Sequence, residues 1–227
     1  MDYRSAYGLV VSSEVPLDDL PQALVGDRSV DVQVTVGKAP SVATTRLEGG
    51  LEWHIERGVV TFRWEGAGTI VVSGGNSIIV DAPSDGDPHA MSLLVQGPGL
   101  NAIVRQRGMV MLHAAGVDVG GRCCAIVGSS GMGKSTLAAA LGNLGYPLIA
   151  DDGIVIHGRT VLPAFPTMKL WPQSAERLVL EGTPLLEGRA KLRVDAPAFT
   201  AAPLPLGWVV LLADGEGVGT TRVDGAR

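Results

Sequence analysis

A nine-residue run at positions 128–136 constrains the fold of this chain more than any other feature. Its sequence, GSSGMGKST, fits the pattern G-x-x-x-x-G-K-[ST]; it follows the apolar stretch 123–127 and precedes a helical pattern. The glycines let the backbone curl so that successive N–H groups point inward, and the following helix adds its positive N-terminal end. We therefore expect a loop between a strand and a helix that binds the phosphates of a nucleotide.

We predict that every residue of this loop contacts the nucleotide: Gly128, Ser129, Ser130, Gly131, Met132, Gly133, Lys134, Ser135 and Thr136. Lys134 would reach the outer phosphates. The Ser135 hydroxyl would bind Mg²⁺, a hard cation that keeps several waters and takes few protein ligands. The alternative is a chance match in a Gly-rich chain, and the strand before the loop and the helix after it make that interpretation the weaker one.

The composition excludes several classes of protein. The chain has 227 residues and a net charge of −5, and its lysines, at positions 38, 134, 169 and 191, form no basic stripe, so we expect no nucleic-acid partner. No apolar run approaches the ~20 residues that span a bilayer, and residues 1–20 lack the apolar stretch of a signal peptide. We expect a cytoplasmic protein without membrane contact. The sequence does not determine the oligomeric state, and a homo-oligomer is one of the states that it allows.

The two cysteines, Cys123 and Cys124, are adjacent on the strand that leads into the loop. Neighbouring residues on a strand point to opposite faces of the sheet, so these thiols do not pair as an ordinary disulfide. We interpret them as small buried apolar side chains rather than as a redox or metal site.

Residues 1–85 have the pattern of short strands and turns that is typical of antiparallel hairpins. Turn signals such as Gly49-Gly50 and Arg57-Gly58 separate the apolar stretches. We expect Trp53, Phe62 and Trp64 to form the core of this β-rich N-terminal domain. The predicted strands are 6–12, 30–36, 51–56, 59–64, 69–72 and 77–80.

Residues 86–227 change to a mixed pattern, which predicts a second domain and a mixed α/β chain overall. Apolar residues recur at helical spacing from Met91 to Val104, with Gly97-Pro98-Gly99 as a break or kink. A strand at 109–119, a turn at Gly120-Gly121, a strand at 122–127, the loop and an amphipathic helix at 134–144 follow. The remaining predictions are strands at 148–150, 154–156, 160–162, 167–170, 191–194, 208–212 and 219–223 and a helix at 172–180.

Asp151 and Asp152 end a short apolar strand soon after the helix of the loop. Ligands of open α/β sheets bind beyond the carboxyl ends of the strands, so both carboxylates could reach the same cleft as Ser135. One would hold magnesium, directly or through water, and the other would accept a proton; the alternative is that the pair only starts a turn. His113 is either a structural histidine or, if its strand neighbours the one before the loop, a group that orients the carboxylates.

Three segments together resemble one known family. LHAA at 112–115, the loop at 128–136 and GYPLIADD at 145–152 agree in order and spacing with the C-terminal catalytic domain of HPr kinase/phosphorylase, whose fold is similar to that of ATP-dependent phosphoenolpyruvate carboxykinase. The resemblance covers about residues 109–156 and implies a P-loop kinase domain that uses ATP and Mg²⁺. It implies an active site of His113, Lys134, Ser135, Asp151 and Asp152, with Ser135 and Asp151 at the metal and Asp152 as the base that activates a serine hydroxyl.

Two features differ from HPr kinases. The E-I-R-G signature with its magnesium-binding Glu is absent, and PTMKLWP at 166–172 occupies its place. The β-rich N-terminal part resembles instead the divergent HPr-kinase-like proteins found beside peptide-tailoring genes, including kinases that phosphorylate lasso-peptide precursors. The acceptor therefore need not be HPr. Relatives usually continue past the last residues seen here, so we expect part of the acceptor site to be missing. Candidates for steadying the transferred phosphoryl group are Lys169, Arg189, Lys191 and Arg193.

The sequence therefore predicts an ATP-dependent kinase that transfers the γ-phosphoryl group to a serine hydroxyl of a peptide or small protein. Two alternatives stay open. One is a regulatory protein that binds the nucleotide without turnover, against which the intact Asp pair argues, and the other is a small-molecule kinase. The sequence predicts neither the identity of the acceptor nor the choice between ATP and GTP.

Overall fold

A computed structural model describes residues 2–23, 29–46, 50–186, 190–215 and 219–222. These residues form three sheets and few helices, so the chain is a mixed α/β protein, as predicted. The strands are β1 Asp2–Ala6, β2 Leu9–Ser13, β3 Val32–Val36, β4 Thr45–Arg46, β5 Leu51–Glu56, β6 Val59–Trp64, β7 Gly68–Ser73, β8 Ser77–Asp81, β9 Val110–Leu112, β10 Ala114–Val119, β11 Arg122–Val127, β12 Leu148–Ala150, β13 Ile154–His157, β14 Thr160–Leu162, β15 Thr167–Leu170, β16 Gly182–Pro184, β17 Leu192–Asp195 and β18 Leu204–Leu211. The helices are α1 Pro88–Leu94, α2 Leu100–Gln106, α3 Lys134–Asn143 and α4 Pro172–Arg177.

The first sheet contains β1 to β8 in the order β1-β2-β3-β8-β7-β6-β5-β4. Strands β5 and β6 have the predicted bounds, because regular alternation and strong turn signals mark them, whereas β3, β7 and β8 differ from their predicted bounds by one or two residues. The predicted strand 6–12 is wrong: Tyr7 and Gly8, with φ of 54° and 73°, turn the chain between β1 and β2, and the two strands pair with each other. Phe62 and Trp64 are half-buried and pack against the core, whose centre in this sheet is aliphatic instead.

The helical segment that follows the first sheet continues through the predicted break. Val95–Gly99 is a π-helical turn between α1 and α2, with Pro98 inside it. The wider turn accommodates a residue that has no N–H to donate. Gly99 allows close packing here, because a Cβ at this position would lie 3.0 Å from the Ile70 side chain.

The second sheet positions the site and has the order β12-β10-β11-β18-β14-β13-β9. Strand β10 is antiparallel to both β11 and β12, so these two point the same way, and β18 is parallel to β11. They end at Val127, Ala150 and Leu211, which places the carboxyl ends of three strands at one edge. The predicted single strand 109–119 is wrong in one respect, because it divides at His113: β9 pairs with β13, and β10 with β11 and β12.

The third sheet, in the order β15-β17-β16, lies beside α4. One buried cluster joins side chains of the first sheet, such as Ile70, to side chains of the second, such as Ala125 and Ile154. A second cluster packs α3 against the opposite face of β11. The division into domains at residue 85 stays a prediction.

Several predicted bounds differ from the structure. The helix at 172–180 ends at Arg177, and β18 begins at Leu204 rather than at residue 208. Residues 219–222 are not a strand, and residue 223 lies outside the described part of the chain. Cys123 and Cys124 belong to opposite faces of β11, as predicted, and burial raises the pKa of the Cys123 thiol to about 12. Of the described helices, none has the length and apolar character needed to cross a bilayer.

Candidate active site

The loop at 128–136 lies where β11 ends and α3 begins. Gly131 and Gly133 have φ of 86° and 89°, a left-handed conformation that favours glycine and that turns the backbone into the helix. Gly133 is the N-cap of α3, and no side chain of the described residues caps this end. The first N–H groups of α3 therefore have no partner within the helix, an arrangement that favours an anion.

Lys134 lies inside the curve of the loop. Its side chain is buried, and its Nζ donates hydrogen bonds to the carbonyl oxygens of Gly128 at 2.9 Å and Ser129 at 3.0 Å. A charged donor between two carbonyls holds the two ends of the curve together. The loop is therefore already curled in the free chain, with a positive charge at its centre.

Asp151 lies beneath the first turn of α3. Its Oδ1 accepts a hydrogen bond of 2.7 Å from the Ser135 hydroxyl, and its Oδ2 accepts one of 3.0 Å from the backbone N–H of Lys169. Asp151 is buried, and this burial raises the pKa of its carboxyl although both hydrogen bonds oppose the change. Asp151 thus faces Ser135 rather than open solvent.

Asp152 points the other way because its backbone is left-handed, with φ of 66°. Its Oδ2 accepts a hydrogen bond of 2.8 Å from the Lys169 ammonium, and its Oδ1 lies 3.6 Å from Nδ1 of His113. Burial acts to raise the pKa of Asp152, but Lys169, followed by His113 and Lys191, outweighs it and lowers the pKa below its usual range. Neighbouring carboxyls with pKa values moved in opposite directions are typical of acid and base assignments in active sites.

His113 joins the second sheet to the turn that carries the Asp pair. It directly precedes β10, whose first residue pairs with the last residue of β11, so its strand does neighbour the one before the loop. Its Nδ1 lies 2.9 Å from the backbone oxygen of Asp152, which only accepts hydrogen bonds, so Nδ1 carries the proton. His113 therefore fixes the turn at Asp152 as well as facing its carboxylate.

These groups surround a cleft of about 760 Å³, which we name the loop cleft. The structure brings most of the predicted site residues to it. Of the predicted loop and Asp pair, three residues do not line the cleft: Asp151, which lies behind Ser135, and the loop residues Gly128 and Ser129. Arg189 lies outside the described residues. Arg193 pairs across the strands with Lys169 but does not line the cleft, and its side chain forms ion pairs with Asp19 and, at 3.0 Å, with Asp195. The predicted residues that line the loop cleft are Ser130, Gly131, Met132, Gly133, Lys134, Ser135, Thr136, His113, Asp152, Lys169 and Lys191.

Sequence reasoning missed three residues near the Asp pair. Trp171 forms a wall of the loop cleft, and the Lys191 ammonium lies 5.8 Å from the centre of its ring. Tyr7 and Gln96 line a pocket of about 40 Å³ behind Asp151 and Asp152. Burial raises the pKa of Tyr7, and the Asp152 carboxylate adds to the effect. An aromatic residue before the Pro that starts α4 is the only sequence signal for any of them.

No protein-family model matches the chain, and no curated protein matches it. Among solved structures, one to which the chain is similar is the Hpr(Ser) kinase/phosphatase from Coxiella burnetii. The two are 19% identical over 49% of this chain and 70% of that one, with a TM-score of 0.31. This is a distant structural relationship, and a TM-score this low does not establish a shared fold. The chemistry proposed for the site therefore rests on the site's own residues.

Proposed function

We propose that this chain is an ATP-dependent kinase that transfers the γ-phosphoryl group of ATP to a serine hydroxyl of a peptide or small protein. One observation carries the proposal: the curled Gly-rich loop, with Lys134 at its centre, lines the same cleft as the carboxylate of Asp152. The pKa of this carboxylate is lowered. The loop suits a polyphosphate, and the carboxylate suits a hydroxyl that must lose its proton. A module that only binds a nucleotide has no need of the second group.

Magnesium fits the oxygens that the site offers. The Ser135 hydroxyl and the Asp151 carboxylate are hard ligands 2.7 Å apart. Within the described residues, no three His, Cys, Asp or Glu side chains gather to hold a metal, so the protein would contribute these two groups, with water and phosphate oxygens completing the shell. When bound, Mg²⁺ neutralises charge on the phosphates and makes the terminal phosphorus easier to attack.

Each remaining side chain of the site has one role in the transfer of the phosphoryl group. The serine Oγ forms a bond to the γ-phosphorus, the bond from that phosphorus to the β,γ-bridging oxygen breaks, and ADP leaves with the electron pair. The serine proton passes to Asp152. Lys134 binds the outer phosphates, Lys169 and His113 keep Asp152 ionised and in place, and Lys191 faces the charge that moves between donor and acceptor.

The Asp152→Asn variant tests this assignment. Asn is tolerated in the left-handed conformation that Asp152 adopts, so the variant keeps the turn while losing the base. With Mg²⁺, ATP and a serine peptide, mass spectrometry should show phosphopeptide from the wild type and a rate lower by about 10²- to 10⁴-fold from the variant. Asp195→Asn, which changes an exposed carboxylate paired with Arg193, is the matched control and should transfer phosphate normally.

Calorimetry separates this proposal from its alternatives. Both Asp variants should bind ATP with wild-type affinity. A wild type that binds ATP but forms no ADP with any acceptor would be a nucleotide-responsive regulator instead. Equal rates for Asp152→Asn and the wild type would remove Asp152 from the chemistry.

A further inference from the structure

A second cleft, of about 650 Å³, adjoins the loop cleft, and we name it the apolar cleft. The two share one wall, formed by Asp152, Lys169, Trp171 and Lys191. The proposed base therefore faces two spaces, one beside the phosphate loop and one beyond it. A group-transfer site needs this arrangement, because donor and acceptor must approach the transferred group from opposite sides.

The far walls of the apolar cleft come from three separate parts of the fold. Leu51 and Trp64 belong to the first sheet, Leu93 and Pro98 to the helical segment around the π-helical turn, and Leu185 to the loop between β16 and β17. Leu186, also in the lining, is buried against Ala67 and Ala90, which fixes that wall in the free chain. The cleft is thus preformed, and its volume is within the range of pockets that bind drug-sized ligands, about 300–1,000 Å³.

The polar groups of the apolar cleft lie mainly at the shared wall. Asn101, an uncharged polar residue, also lines the apolar cleft. The side-chain amide of Asn101 can both donate hydrogen bonds to a peptide backbone and accept them from it. The Lys169 ammonium is already paired with Asp152, whereas Lys191 has no ion-pair partner among the described residues. A ligand here would bury apolar side chains away from the shared wall and present its polar reacting group at Asp152.

We infer that the apolar cleft binds the acceptor, and that this acceptor is a peptide segment in which a large apolar side chain neighbours the serine that is phosphorylated. The inference rests on the proposed function and adds to it the class of substrate. The serine hydroxyl lies beside Asp152 at the shared wall, and the apolar neighbour packs against lining residues such as Leu51 of the first sheet and Leu185 of the loop between β16 and β17. Continuity with the loop cleft through Asp152 is the reason for assigning this occupant.

Two synthetic peptides of equal length test the inference: acetyl-Gly-Leu-Ser-Leu-Gly-amide and acetyl-Gly-Gly-Ser-Gly-Gly-amide, each in a fluorescein-labelled form for binding and an unlabelled form for turnover. For the wild type, kcat/KM and binding by anisotropy should favour the Leu peptide by at least about tenfold, the effect typical of a small change in an apolar contact. Leu185→Ser and Leu51→Ser, which change lining residues from two separate parts of the fold, should each lower that preference by a similar factor. Leu144→Ser is the control: it changes an exposed leucine that lines neither cleft, so the preference for the Leu peptide should be unchanged.

The two readouts distinguish failure of the inference from failure of the proposed function. Equal binding of the Leu and Gly peptides by the wild type, or an unchanged preference in both wall variants, overturns the assignment of the apolar cleft. Phosphorylation of a small alcohol but of neither peptide also overturns it. Tight binding of the Leu peptide that the wall variants weaken, with no ADP formed, supports the cleft assignment and contradicts the kinase.

Discussion

The ion pair between Lys169 and Asp152 gives the sharpest test of the electrostatics of the site. Lys169→Met removes the ammonium 2.8 Å from Asp152 Oδ2, while the Lys169 backbone N–H that bonds to Asp151 is retained. Two unit charges 4 Å apart interact by about 1 kcal/mol in water and about 4 kcal/mol near a protein surface. The two side chains are 33% and 47% exposed, so the lower end applies. Lys169 has the largest effect among the groups that lower the pKa of Asp152, so we expect this pKa to rise in the variant.

Carbon-13 NMR of the aspartate carboxyls measures this change directly, with Asp152→Asn to assign the signal. The lowered pKa of Asp152 also makes the stability of the folded protein depend on pH. The folded-state pKa of Asp152 is lowered, so its contribution is present above the usual pKa of an aspartate and is lost as pH falls through the folded-state value. Urea unfolding should show Lys169→Met to be less stable by about 1 kcal/mol at pH 7, and the difference should disappear at low pH, once Asp152 is protonated in the folded wild type.

The control for this prediction is Lys38→Met, which removes an exposed ammonium 3.0 Å from Asp81 in the first sheet. It should leave the Asp152 titration unchanged. An Asp152 signal that titrates identically in the wild type and in Lys169→Met would refute the account of what keeps this carboxyl ionised.

Two further changes test the loop and the strand before it. Gly133→Ala places a side chain at φ of 89°, where no described atom lies within 4 Å, so urea unfolding should show only the strain of a left-handed residue, about 1–2 kcal/mol. The control Gly142→Ala, inside α3, should be neutral or stabilising. Equal effects of the two substitutions would mean that the loop is not curled. In the folded protein a maleimide should modify Cys124 slowly and Cys123 hardly at all, because burial raises both pKa values and only Cys123 is fully buried. Mass spectrometry gives the order of labelling, and early modification of Cys123 would contradict its place in the core.

Local sequence signals predicted much of the fold where they were strong. The bounds of β5, β6, β11 and β12 agree with those read from alternation and turn residues. The prediction was wrong where a neighbour in space decides the structure. The division of the strand at His113 arises because β9 and β10 pair with different strands, and the turn at Tyr7 depends on pairing between β1 and β2.

The candidate site was predictable in its parts but not in its geometry. Spacing placed Lys134, Ser135 and the Asp pair near one sheet edge, because parallel strands end together. Spacing could not show that Asp151 turns inward to Ser135 while Asp152 turns outward to Lys169, since the left-handed backbone at Asp152 is a tertiary feature. Trp171 and the apolar cleft arise from contacts between distant segments, and no local pattern marks them.

Binding of ATP to the wild type and to Lys134→Met tests the central claim most directly, namely that the loop at 128–136 holds the phosphates of a nucleotide. Isothermal titration with Mg²⁺ and ATP should give one site per chain for the wild type. Loss of a charged hydrogen bond costs about 1.5–3 kcal/mol, so the variant should bind at least about tenfold more weakly. Thermal unfolding without nucleotide controls for the lost bonds to Gly128 and Ser129. A wild type that binds no ATP, or a folded variant that binds it equally well, would contradict the claim.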